Sequence, residues 1–248
     1  MNNYNLTYAI IKTAVENGVR YIQDNPKRGV RNLLDLGEYF AEGRFQKDFF
    51  ELAHEILTNE ESCYYNIIEN MVKNTNHETI TDYGINIGYN SLTYGANIIR
   101  EHEKKYGRSV PWVIVLDFET TYNVQLLKNA ISKLIEDSKK IGIYSYMILL
   151  NKNIAMLDEA IEVIGEKKDC AFMIFINPKI IDDDIAKRLG NLTNLCINIL
   201  VETSNDIISE FVVNKALLLK NNKCLYGAYM YYDETNFWNI TNIAAKNT

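Results

Sequence analysis

The chain has 248 residues, 47% hydrophobic and 23% charged, enough to bury a sizeable core as one large domain or one domain with an appendage. Its formal net charge of −6 argues against non-specific nucleic-acid binding, which needs a basic footprint. No uncharged apolar run is long enough to span a bilayer, and no basic leader precedes an apolar run at the start. A cytoplasmic protein with no nucleic-acid or membrane partner is therefore expected.

Residues 1–79 read as a helical segment. Over 4–22 the apolar residues Leu6, Ile10, Ile11, Ala14, Val15, Val19 and Ile22 recur at helical spacing. Asn25-Pro26 punctuates the chain and opens a second helix over 27–42 that stops at Gly43. A third helix over 45–57 carries Phe45, Phe49, Leu52, Ala53 and Ile56 on one stripe, and a fourth covers 62–74. Lys27, Arg28 and Arg31 crowd the start of the second helix, where the helix dipole disfavours cations. At least one of them is expected to reach toward the acidic strand ends of the following region, at Asp117, Glu119 or Glu202.

From residue 80 the pattern alternates strand and helix, and 80–248 reads as a second region. Strands are predicted at 84–90, 112–119, 143–151, 170–177, 195–202 and 224–233. Helices are predicted near 92–106, 121–140, 153–167, 180–190 and 204–221, with Asp182 and Ser204 as helix-start signals. Six such units imply a parallel sheet with right-handed crossovers. A flat doubly wound sheet and a curved, incomplete barrel both satisfy this pattern. The reading adopted is α/β, a six-stranded parallel (βα)6 partial TIM-type barrel with an N-terminal α-helical segment packed on it.

The sharpest single stretch is WVIVLDFE, residues 112–119. Side chains alternate along a strand, so Trp112, Ile114, Leu116 and Phe118 share one face and Val113, Val115, Asp117 and Glu119 the other. The second face ends in acids where α/β proteins build their sites. The same parity applied to the other strands gives Asn86 and Asn90, Ser145 and Asn151, Asn177, Asn198 and Glu202, and Tyr229, Tyr231 and Asp233. Such a mouth would suit a small cationic or polyhydroxylated ligand, or a hard divalent ion held by carboxylate and amide oxygens. The identity of any cofactor is left open by the sequence. The cysteines, Cys63, Cys170, Cys196 and Cys224, form no CxxC, and the three histidines are scattered, so neither a zinc ribbon nor a local iron–sulfur loop is expected.

The order of elements over 80–234 resembles the partial barrel of the radical SAM superfamily. Where that family's second strand ends Gly-Gly-Glu-Pro, this chain reads Asp117-Phe118-Glu119-Thr120. For the third strand's Thr-Asn-Gly it has Leu150-Asn151-Lys152, and for the fourth strand's Ser-x-Asp-Gly-like end, Phe175-Ile176-Asn177-Pro178. Glu119 and Asn151 match in kind. The loop that carries the family's three cluster cysteines reads Asn90-Ser91-Leu92-Thr93-Tyr94-Gly95-Ala96. The resemblance thus implies a cluster-less relative without reductive cleavage of S-adenosylmethionine, serving as a ligand-binding or accessory protein; a separate reading is another kind of α/β protein that recognises a protein partner through its helical segment. The alternative is an enzyme with Glu119 and Glu202 as catalytic candidates beside Asp117, around a divalent metal or as an acid–base pair.

Overall fold

A computed structural model of the chain describes residues 3–41, 44–118, 124–151, 154–201, 203–204 and 207–231. Helices come first: α1 (Asn3–Asp24), α2 (Pro26–Tyr39), α3 (Arg44–Thr58), α4 (Cys63–Asn74) and α5 (His77–Ile85). α5 runs without a break into a π-helix (Asn86–Gly95) and then α6 (Ala96–Tyr106). The alternating part follows as β1 (Val113–Asp117), α7 (Val124–Lys140), β2 (Ser145–Leu150), α8 (Leu157–Glu166), β3 (Ala171–Ile176), α9 (Asp183–Gly190) and β4 (Leu195–Leu200). A two-residue ladder, β5 (Thr203–Ser204) with β6 (Ile207–Ile208), precedes α10 (Glu210–Asn221) and β7 (Tyr226–Tyr229). Among the described residues no helix is long and apolar enough to cross a membrane.

The local signals explain most starts. Asn25 caps α2 by accepting from Arg28 N, with Pro26 as the first helical residue. Asp182 accepts from Ile185 N at the start of α9. Ser204, expected to start a helix, lies instead in β5, and Ser209 caps α10 by accepting from Val212 N.

Among the described residues the main sheet has five strands, all parallel, in the order β1-β2-β3-β4-β7. Six are not seen there: residues 84–90, expected as the first strand, lie in α5 and the π-helix. Strand order follows chain order, so right-handed crossovers carry the intervening helices over the same face. That face is the core. Tyr146, Ile148, Leu150, Phe172, Ile174 and Ile176 are at most 1% exposed, beneath Ile131 and Ile135 of α7, Leu157 and Ile164 of α8 and Leu189 of α9. β1 obeys the expected parity, with Leu116 and Phe118 buried on this side and Val115 half-exposed on the other.

The second face carries Val115, Met147, Leu149, Met173, Phe175 and Asn198, none fully buried. Its lower end, at the strand starts, is covered by the helix running from α5 into α6. Ser91 on the π-helix meets Ser145 at 2.5 Å between hydroxyls, and backbone of Gly95 meets backbone of Gly142, where neither position has room for a Cβ. Gly142 also has φ 95°, a conformation glycine adopts freely. The upper end, at the strand C-termini, is not covered by this helix.

The four N-terminal helices have a core of their own, with Val19, Ile22, Val30, Leu57, Tyr65 and Val72 buried together. They join the sheet at the strand starts: Asn76 N donates to Lys223 O just before β7, and Lys12 of α1 pairs with Asp82 of α5 at 2.8 Å. Two of the three cations of α2 meet acids within the helical segment, while Glu119 and Glu202, two of the acids expected to receive them, lie outside the described residues. Arg31 bonds Tyr65 Oη and Glu60, and Lys27 pairs with Glu61, because the turn between α3 and α4 brings these acids to the start of α2.

Candidate functional site at the strand C-termini

Register assembles the second face row by row. Asp117 pairs with Leu149, Leu149 with Phe175, Phe175 with Asn198, and Asn198 with Gly227. One step further on, Asn151 and Asn177 follow the last paired residues of β2 and β3, level with Leu200 and Tyr229. The polar residues expected on this face from Asp117 to Tyr229 therefore lie on it together. Glu119, Glu202 and Asp233 lie outside the described residues.

Hydrogen bonds draw the upper row together. Tyr229 Oη donates to Asn151 Oδ1 at 2.6 Å, and Asn151 Nδ2 donates to Tyr231 Oη at 3.2 Å. Phe175 meets the Tyr229 ring edge-on with centroids 5.1 Å apart, and Tyr229 meets Tyr231 likewise at 5.7 Å. Tyr231 is 68% exposed, so its ring forms a platform at the rim. Asn177 acts locally, accepting from Lys179 N to start the turn after β3.

Asn198 differs from these. It is half-buried in the middle of β4, and its side-chain amide makes no hydrogen bond with the described residues. Gly227 beside it leaves the amide its room, since an added Cβ would sit 3.1 Å from Asn198 Oδ1. Asn198 is not among the fully buried polar atoms left without a partner in the described residues, so its amide is within reach of a polar group from outside.

Asn86 and Asn90 belong elsewhere. They are one helical turn apart on the π-helix and fully buried at the opposite end of the sheet. Asn86 Nδ2 donates to Lys168 O and Cys170 O at 2.8 and 3.0 Å; Asn90 Nδ2 donates to Asn86 Oδ1 and Asp169 O at 2.8 and 2.9 Å. They were expected at the strand-end mouth; instead they fasten the turn that leads into β3. Asn194, not singled out from the sequence, donates to Ile164 O, Lys167 O and Cys170 O around the same turn. A buried Asn just ahead of a strand was the one local signal for it.

Burial pushes the Cys196 and Cys224 thiols up to about 11, and Cys170 is pushed up further by burial and the neighbouring Asp169. Among the described residues, no three His, Cys, Asp or Glu side chains are placed to hold a metal ion. A cleft of about 390 Å³ lined by His102, Tyr106, Arg108 and Val110 precedes β1, remote from the strand C-termini. Tyr106 and Arg108 of its lining are exposed, and it brings no polar group together with the strand-end network. No protein-family model, curated protein or solved structure matches the chain.

Proposed function

We propose that the protein is a ligand-binding or accessory protein whose site is the upper half of the second sheet face, with Asn198 as its half-buried polar handle and Asn151, Tyr229 and Tyr231 as its rim. The observation that carries this reading is the unbonded amide of Asn198 on a face whose other polar side chains are engaged nearby. Leu149, Met173 and Phe175 supply an apolar floor, and Asp117 adds an acid on the Asn198 row. This combination of apolar walls and few convergent polar groups suits a small ligand. Glu119, Glu202 and Asp233 would make the mouth acidic and favour a cationic or polyhydroxylated ligand.

The same reading takes the sheet to be an arc of a partial barrel. β2 and β7 are separated by β3 and β4. In a flat sheet they would lie about 14 Å apart, with side chains standing roughly perpendicular to the plane. The 2.6 Å bond from Tyr229 to Asn151 fits a sheet that curls toward this face. In this form the likeness to the radical SAM partial barrel is to five strands, without the one that leads into its cluster loop.

The test is calorimetric titration with S-adenosylmethionine, spermidine and glucose, alongside the Asn198→Leu variant. Saturable binding of at least one, weakened ten-fold or more by Asn198→Leu, supports the site. Binding of none, or binding indifferent to Asn198→Leu, rejects it.

A further inference from the structure

We propose that α3 presents a docking surface for an amphipathic helix of a partner protein that carries lysine or arginine along one flank. The surface is independent of the strand-end site.

Three stripes run along α3, each with spacings of three and four residues. Phe50, Ala53 and Leu57 form the inward one, with Leu57 buried in the N-terminal core. One residue earlier, Phe49, Leu52 and Ile56 form a second apolar stripe, 56%, 56% and 36% exposed. Such a stripe of large apolar side chains in water marks an interaction face. Another residue back, Glu51 and Glu55 flank Leu52 and Ile56, both exposed and in no ion pair among the described residues. Lys47 and Asp48 precede them on that flank and offset each other in charge. The apolar stripe thus has a buried border on one side and an acidic border on the other.

That asymmetry selects the occupant. An anionic membrane surface would be repelled by the glutamates. A second copy packing its α3 antiparallel would bring the two acidic borders to the same side, which is unfavourable for like charges. A helix laying an apolar stripe into Phe49, Leu52 and Ile56 and a basic flank against Glu51 and Glu55 satisfies both features. Rows of side chains at spacings of three and four are the ridges against which a second helix packs.

The experiment uses the full chain and fluorescence anisotropy with three designed helical peptides: a leucine stripe with a lysine flank, the same stripe with a glutamate flank, and the lysine flank with serine in place of leucine. The first should bind at least ten-fold more tightly than either other. Leu52→Asp should abolish that preference, and the double variant Glu51→Lys, Glu55→Lys should transfer it to the glutamate-flanked peptide. Both variants change exposed positions, and circular dichroism melting verifies that they fold. Equal binding of the three peptides, or no effect of Leu52→Asp, overturns the proposal. So does a concentration-dependent dimer in sedimentation velocity that Leu52→Asp dissolves, since a second copy would then occupy the face.

Discussion

Tyr229 and Asn151 stand on strands separated by two others in the sheet and are joined by a 2.6 Å hydrogen bond. The bond ties the last strand to the second across the C-terminal edge of β3 and β4. Its loss should therefore be felt in stability. Tyr229→Phe is expected to cost about 1 kcal/mol in urea unfolding, the usual worth of one such bond. Tyr231→Phe, at a residue 68% exposed, should stay within about 0.5 kcal/mol of the parent. Equal effects of the two substitutions would mean that the bond does not span the sheet in solution.

At the other end of the sheet the stakes are higher. Asn86 is fully buried, holds the carbonyls of Lys168 and Cys170, and accepts from Asn90. Asn86→Ala removes three hydrogen bonds; Cys170 O keeps Asn194 and Asn90 keeps Asp169 O, whereas Lys168 O loses its Asn86 donor, and a loss of about 2–3 kcal/mol is expected. Ligand binding at the strand C-termini should be unchanged in whatever fraction remains folded. A loss below about 1 kcal/mol in equilibrium unfolding would contradict the structural role assigned to it.

Some of this was legible in the sequence. The alternation in residues 113–118 placed Leu116 and Phe118 inside and Val115 outside, because one sheet face is buried under helices and period two then sorts the side chains. The same rule put Asn151, Asn198 and Tyr229 on one face. It failed at 84–90, where Ile85, Ile87 and Tyr89 alternate with glycine and asparagine as in a strand but the chain is helical. Here the decisive contacts are remote in sequence: Asn86 and Asn90, one turn apart, find carbonyls some eighty positions later. Local pattern cannot register such partners. The stripe of α3 shows the same limit, since Phe49 and Leu57 are both apolar and only packing decides which is buried.

Thiol chemistry gives a pH signature. Cys196 and Cys224 are shifted from an ordinary 9.0 to about 11 by burial, so the native protein keeps these protons to higher pH than the unfolded chain. A raised value stabilises the fold fully below the unfolded value, and the benefit is lost as pH rises through the folded one. The urea midpoint should therefore be level up to about pH 8.5 and fall between about pH 9 and 11. At neutral pH an alkylating reagent should modify Cys63, which is exposed, well before the other three. A midpoint still level at about pH 11, or Cys170 reacting as fast as Cys63, would count against this packing.

The most direct test of the strand-end site is a nuclear magnetic resonance titration of protein labelled on its tyrosine rings, with S-adenosylmethionine, spermidine and glucose added in turn. Assignment comes from the Tyr229→Phe and Tyr231→Phe spectra. The account predicts saturable shifts at Tyr229 and Tyr231 with at least one of the three, weakened by Asn198→Leu, while Tyr21 on α1 stays still. Shifts absent from Tyr229 and Tyr231 with every ligand, or of equal size at Tyr21, would contradict it.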